Sequence, residues 1–181
     1  FGHKLARAIG EHSTYPLMRL LMPYQDTNRK MFALKESKLI DIYAKALNIP
    51  TTDPSYDRMQ RWKKADTGGK EELGDLIYSI LLERMGDQHP TTRTLGQVNE
   101  VLDRLSLAPA SSNETNAPTK TSVLREEVIN MYSAMEQKWL LRIILAKPAE
   151  RGLEIGLKGD QLLNYLDSKA KSKYDYCTDL K

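Results

Sequence analysis

The run Ser133-Ala-Met-Glu-Gln-Lys-Trp-Leu-Leu-Arg-Ile-Ile-Leu-Ala-Lys147 decides the fold class, because no other stretch is as apolar around its whole circumference. Trp139, Leu140, Leu141, Ile143, Ile144 and Leu145 cannot share one helical face, so the segment reads as a helix enclosed by others, the central post of a helical domain. Ser133 followed by Glu136 is a capping-box pattern that opens this helix, and Pro148 closes it. Glu136, Gln137, Lys138 and Arg142 are the positions left for water, with Lys138 and Arg142 four apart on one side. Trp139 reads as core.

Working outward, helical signals recur along the whole chain. His3 to Gly10 and Tyr15 to Leu21 read as short helices, the second stopped by Pro23. A polar turn, Gln25-Asp26-Thr27-Asn28-Arg29-Lys30, leads into Lys35 to Leu47, where Leu39, Ile40, Ile42, Tyr43, Ala46 and Leu47 repeat at helical spacing. Thr52-Asp53-Pro54 supplies an N-cap with proline at the first helical position, and a basic helix from Tyr56 to Ala65 carries Arg58, Arg61, Lys63 and Lys64. Leu73, Leu76, Ile77, Ile80 and Leu81 form an amphipathic stripe ending at Gly86. Thr94 with Gln97 opens a further helix with an expected inner face of Leu95, Val98, Leu102 and Leu105.

Residues 107–120 have no periodicity and read as a flexible insertion between two helical lobes of one domain. Ser122 opens a helix through Tyr132, and the central helix follows at once. A turn-rich stretch, Ala149 to Gly159, follows it, then a short helix from Gln161 to Leu166 and a last one opened by Ser172 with Asp175. No alternating strand pattern or internal repeat occurs. The fold class expected is all-α, a compact multi-helix bundle spanning 1–181.

The composition is that of an ordinary globular domain, with 40% hydrophobic and 28% charged residues and a single cysteine, Cys177. That count excludes an internal disulfide and fits a reducing compartment. No apolar run approaches a membrane span and no targeting segment is evident; the abrupt start at Phe1-Gly2-His3 suggests an excised fragment. The net charge of +3 is unevenly spread. Residues 1–70 carry 13 Lys/Arg against 7 Asp/Glu, residues 71–118 carry 3 against 8, and residues 119–181 carry 11 against 9. An anionic partner such as nucleic acid would therefore meet the two ends of the chain rather than its middle.

Catalytic chemistry is not assembled by these residues. Gly68-Gly69-Lys70 lacks the first glycine of a phosphate loop, and Glu71 stands where its hydroxyl belongs. His3, His12 and His89 are scattered without cysteine or carboxylate neighbours at ligand spacing, so no metal site is expected. Cys177 reads as a small core residue.

Several stretches nonetheless form a recognisable succession: Tyr15-Pro-Leu-Met-Arg-Leu-Leu-Met-Pro23, Leu34-Lys-Glu-Ser-Lys-Leu39 with Ile42-Tyr43, Leu95 to Leu105, and Met135-Glu-Gln-Lys-Trp-Leu-Leu-Arg-Ile-Ile144. Together they resemble the N-terminal DNA-binding domain of eukaryotic ATP-dependent DNA ligases, and among these most nearly the DNA ligase IV branch, which serves non-homologous end joining. The resemblance covers about the whole chain, and Glu136 to Arg142 is its most specific part. It implies a helical bundle that closes over the minor groove of nicked duplex DNA, while nucleotidyltransferase and OB-fold domains beyond this chain complete a ring. It also implies ATP and magnesium for the parent enzyme but no cofactor here, since the Lys-x-Asp-Gly nucleophile motif does not occur in the sequence. Nuclear localisation in double-strand-break repair follows, with an end-processing nuclease as a partner at the N-terminal helices. There the resemblance expects a further helix ahead of Phe1.

The expected DNA-binding residues are Lys35, Lys38, Lys70, Lys138, Arg142, Lys147, Arg151, Gly156 and Lys158. Lys35 and Lys38 stand at a helix start, where the macrodipole disfavours cations, which points to an external anion or else to solvated surface lysines. Lys138 and Arg142 are either phosphate contacts or the wet, salt-bridged edge of a buried helix. Gly156 would let the turn Leu153 to Leu157 approach a DNA backbone. Glu154 departs there from the basic residue usual in the family, so either Arg151 and Lys158 supply the charge or the turn contributes less. The alternative function is a helical protein-interaction module docking end-joining partners.

Overall fold

A computed structural model describes residues 14–23, 25–62, 72–86, 89–111, 117–146, 159–166 and 169–177, and among these the regular structure is helical throughout. In order they are α1 (Tyr15–Leu21), α2 (Glu36–Ala46), α3 (Pro54–Arg61), α4 (Leu73–Met85) and α5 (Leu95–Leu107). After these come α6 (Lys120–Val123), continuing as a π-helical stretch (Leu124–Ile129), then α7 (Ala134–Leu145), α8 (Gly159–Leu166) and α9 (Ala170–Cys177). The helix expected over His3 to Gly10 lies outside the described residues.

Local chemistry sets several of the starts. Asp53 caps α3 by accepting from the Ser55 amide at 2.8 Å, with Pro54 at the first helical position. Both halves of the capping box are made at Thr94/Gln97 and at Ser133/Glu136. Gly86 ends α4 with φ of 70°, a left-handed conformation that glycine adopts without steric cost.

The principal core draws on both sides of the 107–120 segment: Leu39, Tyr43, Ile77, Leu81, Leu102 and Leu141 are all at most 1% exposed. Its tightest seam lies between α4 and α7. A Cβ on Gly74 would stand 2.9 Å from the Lys138 carbonyl oxygen, so a side-chain-free position lets these two backbones approach. A second, smaller cluster of Met18, Met22, Leu162 and Leu163 seats α8 against α1.

The central helix is not enclosed all round. Trp139, expected in the core, is 37% exposed, and the guanidinium of Arg142 lies over its ring at 4.9 Å. Stacking against cations covers this indole in place of apolar packing. Gln137, expected in water, is buried, and its amide donates to the carbonyls of Ile129 and Tyr132 at 3.2 and 2.7 Å. Those acceptors lie where the π-helical stretch ends and its last carbonyls lack helical partners.

Three further expectations shift. Leu95 is exposed, and the buried face of α5 runs through Asn99, Val101, Leu102, Leu105 and Ser106. Polar Asn99 is inside because it bonds the Pro16 and Leu95 carbonyls at 2.8 and 2.9 Å. Lys120, read as part of the insertion, begins α6 and is buried, with Thr119 as its cap. Ser172 does not open α9, which already begins at Ala170.

Candidate nucleic-acid interface

Ion pairing decides which cations remain available to an outside anion. Arg19 and Arg29 are buried: Arg19 makes a two-pronged contact to Asp103 at 2.9 and 2.7 Å and a third to Asp26 at 2.6 Å. Arg29 donates to Asp103 at 2.8 Å and to the Asn99 side-chain oxygen at 2.6 Å. Burial opposes the charge on Arg19, but its hydrogen bonds to Asp103 and Asp26 outweigh that and hold its pKa above the ordinary value. For Arg29 burial dominates and lowers the pKa. This network pins α1 and the turn after it to α5.

The arginines of α3 are also paired within the chain, but at its exposed surface. Arg58 reaches Glu83 on α4 at 2.9 Å, and Arg61 pairs with Asp57 at 2.8 Å. Lys63 and Lys64 lie outside the described residues.

The structure brings Lys138 and Arg142 together on the half-buried edge of α7 that faces α4, against acids of α4 and its start. Lys138 is paired with Asp75, and Arg142 contacts both Asp75, at 3.2 Å, and Glu72.

Lys35 and Lys38 are placed differently. Both are exposed, at the cap position and first turn of α2, one helical turn apart on one side. Lys35 has no oxygen to offer the first-turn amides, in contrast to Asp53, Thr94 and Ser133, and the carboxylate of that first turn is Glu36. Among the described residues, Lys30, Lys35, Lys38 and Lys45 are exposed and carry no carboxylate partner. Lys30 was not singled out from the sequence; the signal available was its place in the polar turn just before the Lys35 helix. With Lys35 it borders a cleft of about 860 Å³, between residues 30–37, the end of α3 and the end of α7. Lys70, Lys147, Arg151, Gly156 and Lys158 lie outside the described residues.

No group of three or more His, Cys, Asp or Glu side chains suited to a metal ion occurs among the described residues. No helix among them is long and apolar enough to cross a membrane.

Comparison with known proteins gives the family. The family model described as the DNA ligase N terminus matches residues 3–166. The chain is 35% identical over 143 residues to DNA ligase 4 of Dictyostelium discoideum, covering 77% of this chain and 12% of that protein. It is 29% identical over 169 residues to DNA ligase 4 of Coprinopsis cinerea, covering 92% and 15% respectively. To human DNA ligase 4 it is 29% identical over 171 residues, covering 93% and 18%. The chain thus spans less than a fifth of the length of these curated relatives. A match over nearly the whole chain, on an all-helical bundle, means that the chain belongs to the DNA ligase N-terminal domain family.

Proposed function

We propose that this chain is the non-catalytic DNA-binding domain of an ATP-dependent ligase of the DNA ligase IV kind. It closes on the minor groove of a duplex at a nick or at joined ends of a double-strand break, so that catalytic domains elsewhere in the protein seal the strand. The observation that carries this reading is the lysine strip Lys30, Lys35 and Lys38, exposed and unpaired at an uncapped helix start, in a domain whose other described arginines are largely tied to its own carboxylates. Cations and backbone amides facing phosphates position a protein on DNA without reading bases, as a clamp indifferent to sequence requires.

On this reading ATP and magnesium serve the catalytic domains, because the Lys-x-Asp-Gly nucleophile is not in this sequence. The parent protein works in the nucleus, in non-homologous end joining. A nuclease partner at the N-terminal helices would involve residues outside those described.

Fluorescence anisotropy with nicked and intact duplexes over a salt series tests the proposal. The expected result is binding whose logarithm falls against log salt with a slope of roughly −3 to −6, for a handful of phosphate contacts. It should weaken in a Lys35→Glu/Lys38→Glu variant.

The cleft favours a second reading, a helical module that docks end-joining proteins. Met31 on its border is 68% exposed, beside partly exposed Leu34 and Trp62. That reading predicts weak, salt-insensitive DNA binding.

A further inference from the structure

Between the buried Arg29 network and α2 lies the six-residue segment 30–35, which carries two of the three strip lysines. Phe32 is buried within it, and Ala33 has φ of 50°, a left-handed conformation that costs a non-glycine residue. Such a conformation persists only where surrounding structure over-determines it. Besides the packing of Phe32 in the core, a contact from far along the chain holds it: Lys120 is buried, and its ammonium donates to the Phe32 carbonyl at 2.5 Å. Lys120 is itself fixed, since its amide donates to the Pro109 carbonyl at 2.9 Å and it sits in the first turn of α6 under the Thr119 cap. A buried ammonium is tolerated only where hydrogen bonding offsets its desolvation. Its placement on the carbonyl just before the strained residue makes it a peg for that turn.

We infer that Lys120 is a positioning residue for DNA binding: it does not meet phosphate, but by holding the Phe32–Ala33 turn it sets the spacing and direction of Lys30 and Lys35 on the strip. This inference rests on the proposed role of those two lysines. It separates the charge of Lys120, which is buried, from the charges that DNA would meet.

A double-mutant cycle tests it, with duplex affinity measured by anisotropy over a salt series. Lys30→Gln/Lys35→Gln should weaken binding about tenfold and make the salt slope shallower by about 2, as for two lost phosphate contacts. Lys120→Met alone should weaken binding about three- to tenfold and make the slope shallower, and should speed amide exchange at residues 31–35. In the Lys30→Gln/Lys35→Gln background, Lys120→Met should have almost no further effect on affinity.

A Lys120→Met protein that melts earlier yet binds as wild type would make Lys120 a plain structural lysine and overturn the inference. Equal weakening in both backgrounds would also overturn it, by showing that Lys120 acts independently of the strip. If Lys30→Gln/Lys35→Gln leaves affinity unchanged, the reading of the strip itself fails, and the inference with it. Should Lys120→Met not fold, Lys120→Gln, which keeps a donor on a shorter stem, carries the same expectations.

Discussion

The carbonyl oxygen of Lys138 lies 2.9 Å from the point a Cβ on Gly74 would occupy, closer than real Cβ atoms come to a backbone oxygen. Helices α4 and α7 therefore meet at a spacing that glycine alone permits. Gly74→Ala must push two backbones apart, at a cost of about 1–3 kcal/mol. Urea denaturation should show a lower midpoint with an unchanged slope. Gly96→Ala is the control, because its Cβ would meet only the Thr94 hydroxyl at 3.7 Å. It should be neutral or stabilising by up to about 1 kcal/mol.

Asp103 holds two buried arginines, and its protonation should be visible in acid. Burial pushes its carboxyl pKa up, but hydrogen bonds from Arg19 and Arg29 push it down further, leaving it below the ordinary carboxylate range. The stability it contributes is therefore complete above the unfolded value of about 3.9 and is lost as pH falls through the lower folded-state value. At pH 7 Asp103→Asn should cost about 2 kcal/mol, less than the roughly 3–5 of a fully buried broken pair because Asp103 is partly exposed. Melting curves of the two proteins should converge as pH drops below about 4.

The two lysine-bearing helix edges should respond oppositely to charge reversal. Lys35→Glu/Lys38→Glu disturbs no described ion pair, so stability should stay within about 0.5 kcal/mol while DNA binding falls. Lys138→Glu/Arg142→Glu sets like charges against Asp75 and Glu72, so its melting temperature should drop. Comparable loss of DNA affinity by the α7 variant, measured well below its melting point, would instead put that edge on the DNA.

Glu136 serves two chain segments at once. It accepts from the Ser133 amide at 2.9 Å, completing the cap of α7, and from the Thr91 amide at 3.0 Å, tying down the approach to α5. Ser133→Ala should cost about 1 kcal/mol, the usual worth of a cap. Glu136→Ala should cost more and should also speed hydrogen exchange at Thr91, which the serine variant should not.

The helices were legible because their signals are local. The Thr94/Gln97 and Ser133/Glu136 boxes, Asp53-Pro54 and Gly86 act within a few residues, and the stripe from Leu73 to Leu81 faces the core as its period requires. Position-by-position burial was less legible. Trp139 and Gln137 exchanged places because hydrophobicity omits the carbonyls that a glutamine can satisfy and the cations that can cover an indole. Lys120 was hidden for the same reason, its acceptor lying 88 residues away in sequence.

An all-helical fold, the family and the charge surplus at the two ends of the chain follow from the order of the amino acids, since periodicity, caps and motifs need no knowledge of what folds against what. Which of those charges stay free depends on how the helices pack. The acidic middle of the chain turns inward on the basic ends: Asp103 takes Arg19 and Arg29, Glu83 takes Arg58, and Asp75 with Glu72 takes Lys138 and Arg142. Each pair joins residues distant in sequence, and Coulomb attraction falls with distance in space, so availability to an outside anion belongs to the fold.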